Sequence, residues 1–128
     1  RSSYNSCRSE MGHILRWQGR NTEAAARYSE TIRVWSELGQ QAAVARDLES
    51  FALIAVAQSQ SERAGRLFGA AEALRGANGS LMLPPERREY DEGLARLRGQ
   101  IDEVALAHAW AAGRAMDLDQ AIDYAAPR

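Results

Sequence analysis

An all-α chain of antiparallel helical hairpins is what this sequence predicts, on three observations. Twenty-four alanines against 3 prolines in 128 residues, with few β-branched side chains, favour helix, because alanine loses least on ordering and β-branched side chains lose rotamers. Apolar residues recur at i, i+4, i+7, i+11 in Val44, Leu48, Phe51, Ala55 and again in Tyr90, Leu94, Leu97, Ile101, the period of a single helix face. No segment alternates in the manner of a strand.

Stop and start residues divide the chain into seven expected helices, 4–18, 22–38, 40–58, 61–77, 85–98, 102–115 and 118–126. Gly19 ends the first in left-handed dihedrals, and Asn21-Thr22 supplies a polar N-cap for the second. Gly39 ends the second. Ser59-Gln60-Ser61-Glu62 has capping-box spacing, with Ser59 as cap and Glu62 reaching back, and opens the fourth. Asn78-Gly79 closes that helix, and Ser80 to Leu83 form a short apolar loop. Pro84-Pro85 seed the fifth helix, since proline is tolerated in a first turn. Asp117 with Gln120 opens the last.

The length suits a single domain over 1–128, on a prior of roughly 100–200 residues per domain. Hydrophobic residues at 45% and charged residues at 26% match globular averages and exclude disordered, collagen-like and membrane classes. All 16 cations are arginine and none is lysine, a pattern that GC-rich coding explains. The net charge of −1 with pI near 6.2 excludes nucleic acid as the expected partner, because such affinity needs an electrostatic excess that releases counterions. The single cysteine, Cys7, has no disulfide partner in the chain and suits a reducing compartment. The longest uncharged apolar stretch, 51–57, is far below the ~20 residues of a membrane span. The first residues lack a starting Met and an apolar signal region. A cytoplasmic piece of a longer protein is expected.

Chemistry-bearing residues are few. His13 and His108 lie in different helices without the close spacing of a metal site, so no metal or other cofactor is expected. Glu86, Glu89, Asp91 and Glu92 crowd one helix with Arg87, Arg88 and Arg96 at neighbour spacings, which predicts a solvated, ion-paired face. Cys7 has no base nearby and is read as a small apolar residue. Among Trp17, Trp35 and Trp110, space-filling is expected over a ligand cage, and Trp110 is the firmest core candidate.

A forty-residue repeat aligns Met11 with Phe51, Gly12 with Ala52, Ala24 with Ala64, Tyr28 with Phe68 and Thr31 with Ala71. The order resembles the tetratricopeptide helix pair, with Gly12, Gly19, Ala24 and Tyr28 on its small, turn, small and aromatic positions. Small residues let two helices approach, and the aromatic fills the wedge to the next pair. Arg8 stands where that pattern usually places Trp, and the unit exceeds the usual ~34 residues.

From Arg66 to Ala125 the chain is similar to the C-terminal helical region of large bacterial LuxR-type transcriptional regulators with an ATP-binding core. The resemblance rests on the run Arg66 to Arg75, on Pro84-Pro85-Glu86-Arg87 with Tyr90, and on Trp110 to Met116 followed by Asp119 to Ile122. Where the family usually has a Leu-Gly step eight residues before the Trp, this chain has Ile101-Asp102. In that family a P-loop ATPase of the signal-transduction type precedes tetratricopeptide-like helices. This chain has no Walker motif and no lysine, so it is not the ATPase. Asp117, Asp119 and Asp123 oppose a DNA-reading helix after Trp110.

The tetratricopeptide resemblance also implies a partner groove on the first helix of each pair, carried here by His13, Arg16 and Trp17 in the first unit and by Arg46 and Glu49 in the second. The expected role is a non-catalytic, regulatory protein-interaction domain that packs against the parent ATPase core or another protein. An exposed hairpin end offers a route to a homodimer. The alternatives are a small-molecule sensor using the concave face and, last, a small enzyme.

Overall fold

The computed structural model describes residues 2–127, and within them the chain forms seven α-helices and no strand. These are α1 (Ser2–Trp17), α2 (Asn21–Glu37), α3 (Gln41–Ala57), α4 (Ser61–Asn78), α5 (Pro84–Arg98), α6 (Glu103–Arg114) and α7 (Leu118–Ala125). Every boundary lies within two residues of the sequence expectation. No described helix is long and apolar enough to cross a membrane.

The first three turns share one geometry. Gly19, Gly39 and Ser59 take positive φ values of 77°, 72° and 59°. The amide after each reaches back five residues, Arg20 to Leu15 at 2.9 Å, Gln40 to Trp35 at 2.9 Å and Gln60 to Ala55 at 2.8 Å. This is the Schellman closure that satisfies orphaned carbonyls. It corrects two capping expectations. Ser59 occupies the left-handed position, at a cost of about 1 kcal/mol for a residue with a Cβ, and the N-cap falls on Gln60 with no side-chain bond. Likewise Arg20, rather than Asn21 or Thr22, is the N-cap of α2. The turns recur every twenty residues, which makes the two-helix unit forty.

Later junctions follow their residues. Gly79 ends α4 at φ 71°, and Pro84-Pro85 begin α5. Asp102 caps α6 by accepting from the Ala105 amide at 2.8 Å. Asp117 and Gln120 form a reciprocal capping box at the start of α7.

Consecutive helices α1 to α4 pack side by side, and then the order breaks, because the next neighbour of α4 is α6 and not α5. Glycines make the α4–α6 contact. A Cβ on Gly113 would sit 1.9 Å from the Arg66 carbonyl oxygen, and one on Gly69 would sit 2.2 Å from that of Trp110. α7 closes against α2, α3 and α4. Arg63 donates to the Tyr124 and Ala125 carbonyls at 2.9 and 2.8 Å, and Arg33 to that of Ala126, so the open end of α7 is satisfied by neighbouring helices.

The forty-residue pairs Ala24/Ala64, Tyr28/Phe68 and Thr31/Ala71 are all fully buried. Met11 and Phe51 part company. Phe51 is buried with its ring 5.8 Å from that of Tyr28, whereas Met11 is exposed, because α2 covers α3 and nothing described covers the same face of α1. Cys7, read as a small apolar residue, is exposed. Among the tryptophans Trp35 is the buried one, Trp110 is half-buried and Trp17 is exposed. Trp110 keeps its indole N–H at the surface, where Glu72 accepts it at 3.1 Å.

Candidate interaction face

Helical spacing puts His13, Arg16 and Trp17 on one side of α1, and Arg46, Glu49 and Ser50 on one side of α3. The structure brings all five groove residues expected from the sequence into one network. In the structure α5 lies over them. Arg16 grips Glu89 with both terminal nitrogens, at 2.7 and 3.3 Å, and Trp17 Nε1 donates to the same carboxylate at 2.9 Å. Arg46 pairs with Glu86 at 3.0 Å. Arg75 from α4 forks onto Glu49 at 2.6 and 2.8 Å and touches Glu86 at 3.5 Å. The face that was expected to be free for a partner is occupied by a helix of the same chain.

The acidic cluster of α5 is corrected in turn. Glu86 and Glu89 face inward to arginines of α1, α3 and α4. Only the Arg87–Asp91 pair, at 3.3 Å, is the solvated i, i+4 contact predicted for this helix. The signal that sequence reading passed over is the spacing of Glu86, Glu89, Gly93 and Leu97. It marks one side of an otherwise polar helix, and Gly93 and Leu97 are its buried residues.

Beneath the arginines sits His13, buried, while His108 is exposed. Arg46 Nε donates to His13 Nε2 at 3.1 Å, so the ring proton resides on Nδ1, which donates to the Tyr28 hydroxyl at 2.6 Å. Arg16 Nε donates to the same hydroxyl at 3.2 Å. Burial, reinforced by the Arg46 and Arg16 charges, pulls the His13 pKa down to about 3. The imidazole is therefore neutral near pH 7 and acts as a fixed acceptor for a guanidinium. Glu89 is partly desolvated, which resists ionisation, yet the Arg16 fork outweighs this and holds its carboxyl below the usual range. Among the described residues no group of three His, Cys, Asp or Glu converges as metal ligands.

One helical turn away, Asp47 is fully buried and accepts from Thr31 Oγ1 at 2.8 Å. Burial pushes its pKa up to about 8, against the opposing Thr31 bond and Arg46 charge. The folded state thus holds a proton that the unfolded chain releases near 3.8, and stability falls as pH rises through that interval. His13 acts oppositely, costing stability as pH falls from 6.5 towards 3. Each limiting slope is about 1.4 kcal/mol per pH unit. Asp47→Asn keeps an acceptor for Thr31 and removes the first slope. Urea melts should show the parent losing stability from pH 6.5 to 8, and the variant level over that range and more stable at pH 8. A parent that gains stability towards pH 8 would contradict the buried, protonated carboxyl.

Two further surfaces flank the network. A cleft of about 750 Å³ opens between α5 and α6, lined by Tyr90, Leu94, Leu106 and Trp110 with Arg98 and Glu103 at its edge. Burial, with the Glu72 and Glu49 charges, pushes the Tyr90 hydroxyl up to about 12 and keeps it protonated. On α1, Tyr4, Met11 and Ile14 are exposed at 65%, 47% and 43%, whereas their forty-residue counterparts Val44, Phe51 and Ile54 are buried.

No family model, curated protein or solved structure matches this chain.

Proposed function

We propose that this chain is a non-catalytic, tetratricopeptide-like contact module of a cytoplasmic LuxR-type transcriptional regulator, acting by packing against the ATPase core of its parent. The observation that carries this reading is the α1/α3 face, where Arg16, Trp17 and Arg46 project together and hold a helix through charge-assisted bonds. Arginine and tryptophan are the side chains that most often anchor protein interfaces. The network is built to grip, since its one histidine is buried and neutral at working pH. The resemblance of 66–125 to the helical tails of these regulators supplies the identity of the partner.

A module that biases its parent must bind one state of the core better than the other. The test combines this chain with the separately produced ATPase core, loaded with ATP or with ADP. The expected result is association that differs between the two nucleotide states and is lost in Arg16→Ala/Arg46→Ala. Equal affinity for both states, or no association, overturns the regulatory reading. A second copy meeting the α1 stripe of Tyr4, Met11 and Ile14 is the self-association that sedimentation would read in the same samples.

The cleft between α5 and α6 favours a second reading, a small-molecule sensor. A metabolite at a hundred times its Kd stabilises the fold by about 2.7 kcal/mol. A thermal-shift response of that size, lost in Trp110→Ala, would put sensing ahead of protein contact. Turnover of any substrate by the purified chain would displace both in favour of an enzyme.

A further inference from the structure

The helix that covers the α1/α3 face is not part of the stack it covers. α4 passes its packing to α6, and α5 departs from that order through coil on both sides, 80–83 before it and 99–102 after it. Among its fifteen residues only Gly93 and Leu97 are buried; besides these, the edge contact of Tyr90 with Phe68 and the packing of Leu94, it is held by charge pairs contributed by three other helices. The four residues that meet the face are Glu86, Glu89, Gly93 and Leu97, spaced three, four and four along one side of the helix. Glu86 answers Arg46 and Arg75. Glu89 answers Arg16 and Trp17. Gly93 permits the close approach, since a Cβ there would lie 2.3 Å from Leu53 Cδ2, and Leu97 is fully buried.

α5 therefore displays the chemistry that the face accepts. We propose that the α1/α3 face is a receptor for acidic helices of the register Glu-x-x-Glu-x-x-x-Gly-x-x-x-Leu, and that α5 is its built-in occupant, displaced when a partner protein presents a helix of that kind. The inference rests on the contact reading above and names what the partner must show. A basic helix meets the Arg16 and Arg46 charges head-on, and an uncharged one leaves them partly buried and unpaired, so both are rejected. Held by a short connector, α5 competes at an effective concentration in the millimolar range. Because only the fraction of molecules with α5 released can bind, the apparent affinity for a partner falls by that fraction.

The test needs no partner protein. In the full chain carrying Glu86→Gln and Glu89→Gln, hydrogen exchange of α5 amides should quicken by at least about 10-fold while α3 and α4 amides keep their protection. A labelled peptide of the sequence 83–98 should bind that variant at least about 10-fold tighter than the unaltered chain. The same peptide with both glutamates changed to glutamine should not bind. Should the double variant fail to fold, the unaltered chain is compared in ~0.05 M and ~1 M salt, where screening should loosen α5 selectively. Exchange of α5 only together with α3 and α4, equal peptide binding to both chains, or binding of the glutamine peptide would each overturn the proposal. If these results hold and the ATPase core still fails to bind, the identity of the partner falls and the receptor face stands.

Discussion

Phe68→Ala should lower the unfolding free energy by about 3–5 kcal/mol, the range for truncating a buried aromatic side chain. Phe68 is fully buried at the meeting of three helices, its ring 5.3 Å from Tyr90 on α5 in edge contact and 5.9 Å from Trp110 on α6 in a stack. The lost side chain removes transfer energy and leaves a cavity that helices fixed elsewhere fill only in part. Against a typical total of about 5–15 kcal/mol this is a large share. Urea denaturation followed by tryptophan emission reads it directly, because Trp110 loses its stacking partner. A cost under about 1 kcal/mol would mean that Phe68 is not the wedge that the forty-residue alignment with Tyr28 makes it.

Gly113→Ala should be comparably damaging, at or above the upper end of the roughly 1–3 kcal/mol seen for overpacked cores. The obstruction is backbone: the new methyl would fall 1.9 Å from the Arg66 carbonyl oxygen, and no side chain can rotate aside. α6 must move off α4. That movement breaks the Trp110 and Arg114 bonds to Glu72, at 3.1 and 2.5 Å. Gly76→Ala is the control. Gly76 lies in the same α4 with nothing within 4 Å of a Cβ, so alanine there should stabilise by about 0.5–1 kcal/mol through helix propensity. Equal melting curves for the two variants would refute the intimate α4–α6 crossing.

Much of the scaffold was legible because its causes are local. Alanine content, the periodic stripes and the punctuation at Gly19, Gly39, Asn78-Gly79 and Pro84-Pro85 act within a few residues of where they stand, and the helix bounds follow them. The failures at Ser59 and Asn21 have a local cause too. A Schellman turn and a side-chain N-cap compete for the same three residues, and the turn prevailed. The groove residues His13, Arg16, Trp17, Arg46 and Glu49 were chosen by resemblance to a helix pair. They do converge, because helical spacing places them on one side of α1 and α3.

Sequence by itself determined that the chain is helical, where its seven helices begin and end, and which small and aromatic residues are fully buried between the pairs at 24/64 and 28/68. Tertiary structure alone decided that α6 follows α4 in the stack, that Glu86 and Glu89 turn inward to arginines on three other helices, and that Met11 is bare where Phe51 is covered. The physical reason is range. Periodicity and capping are set by neighbours along the chain, whereas the partner of a charge or an apolar face is whichever surface the completed packing brings to it.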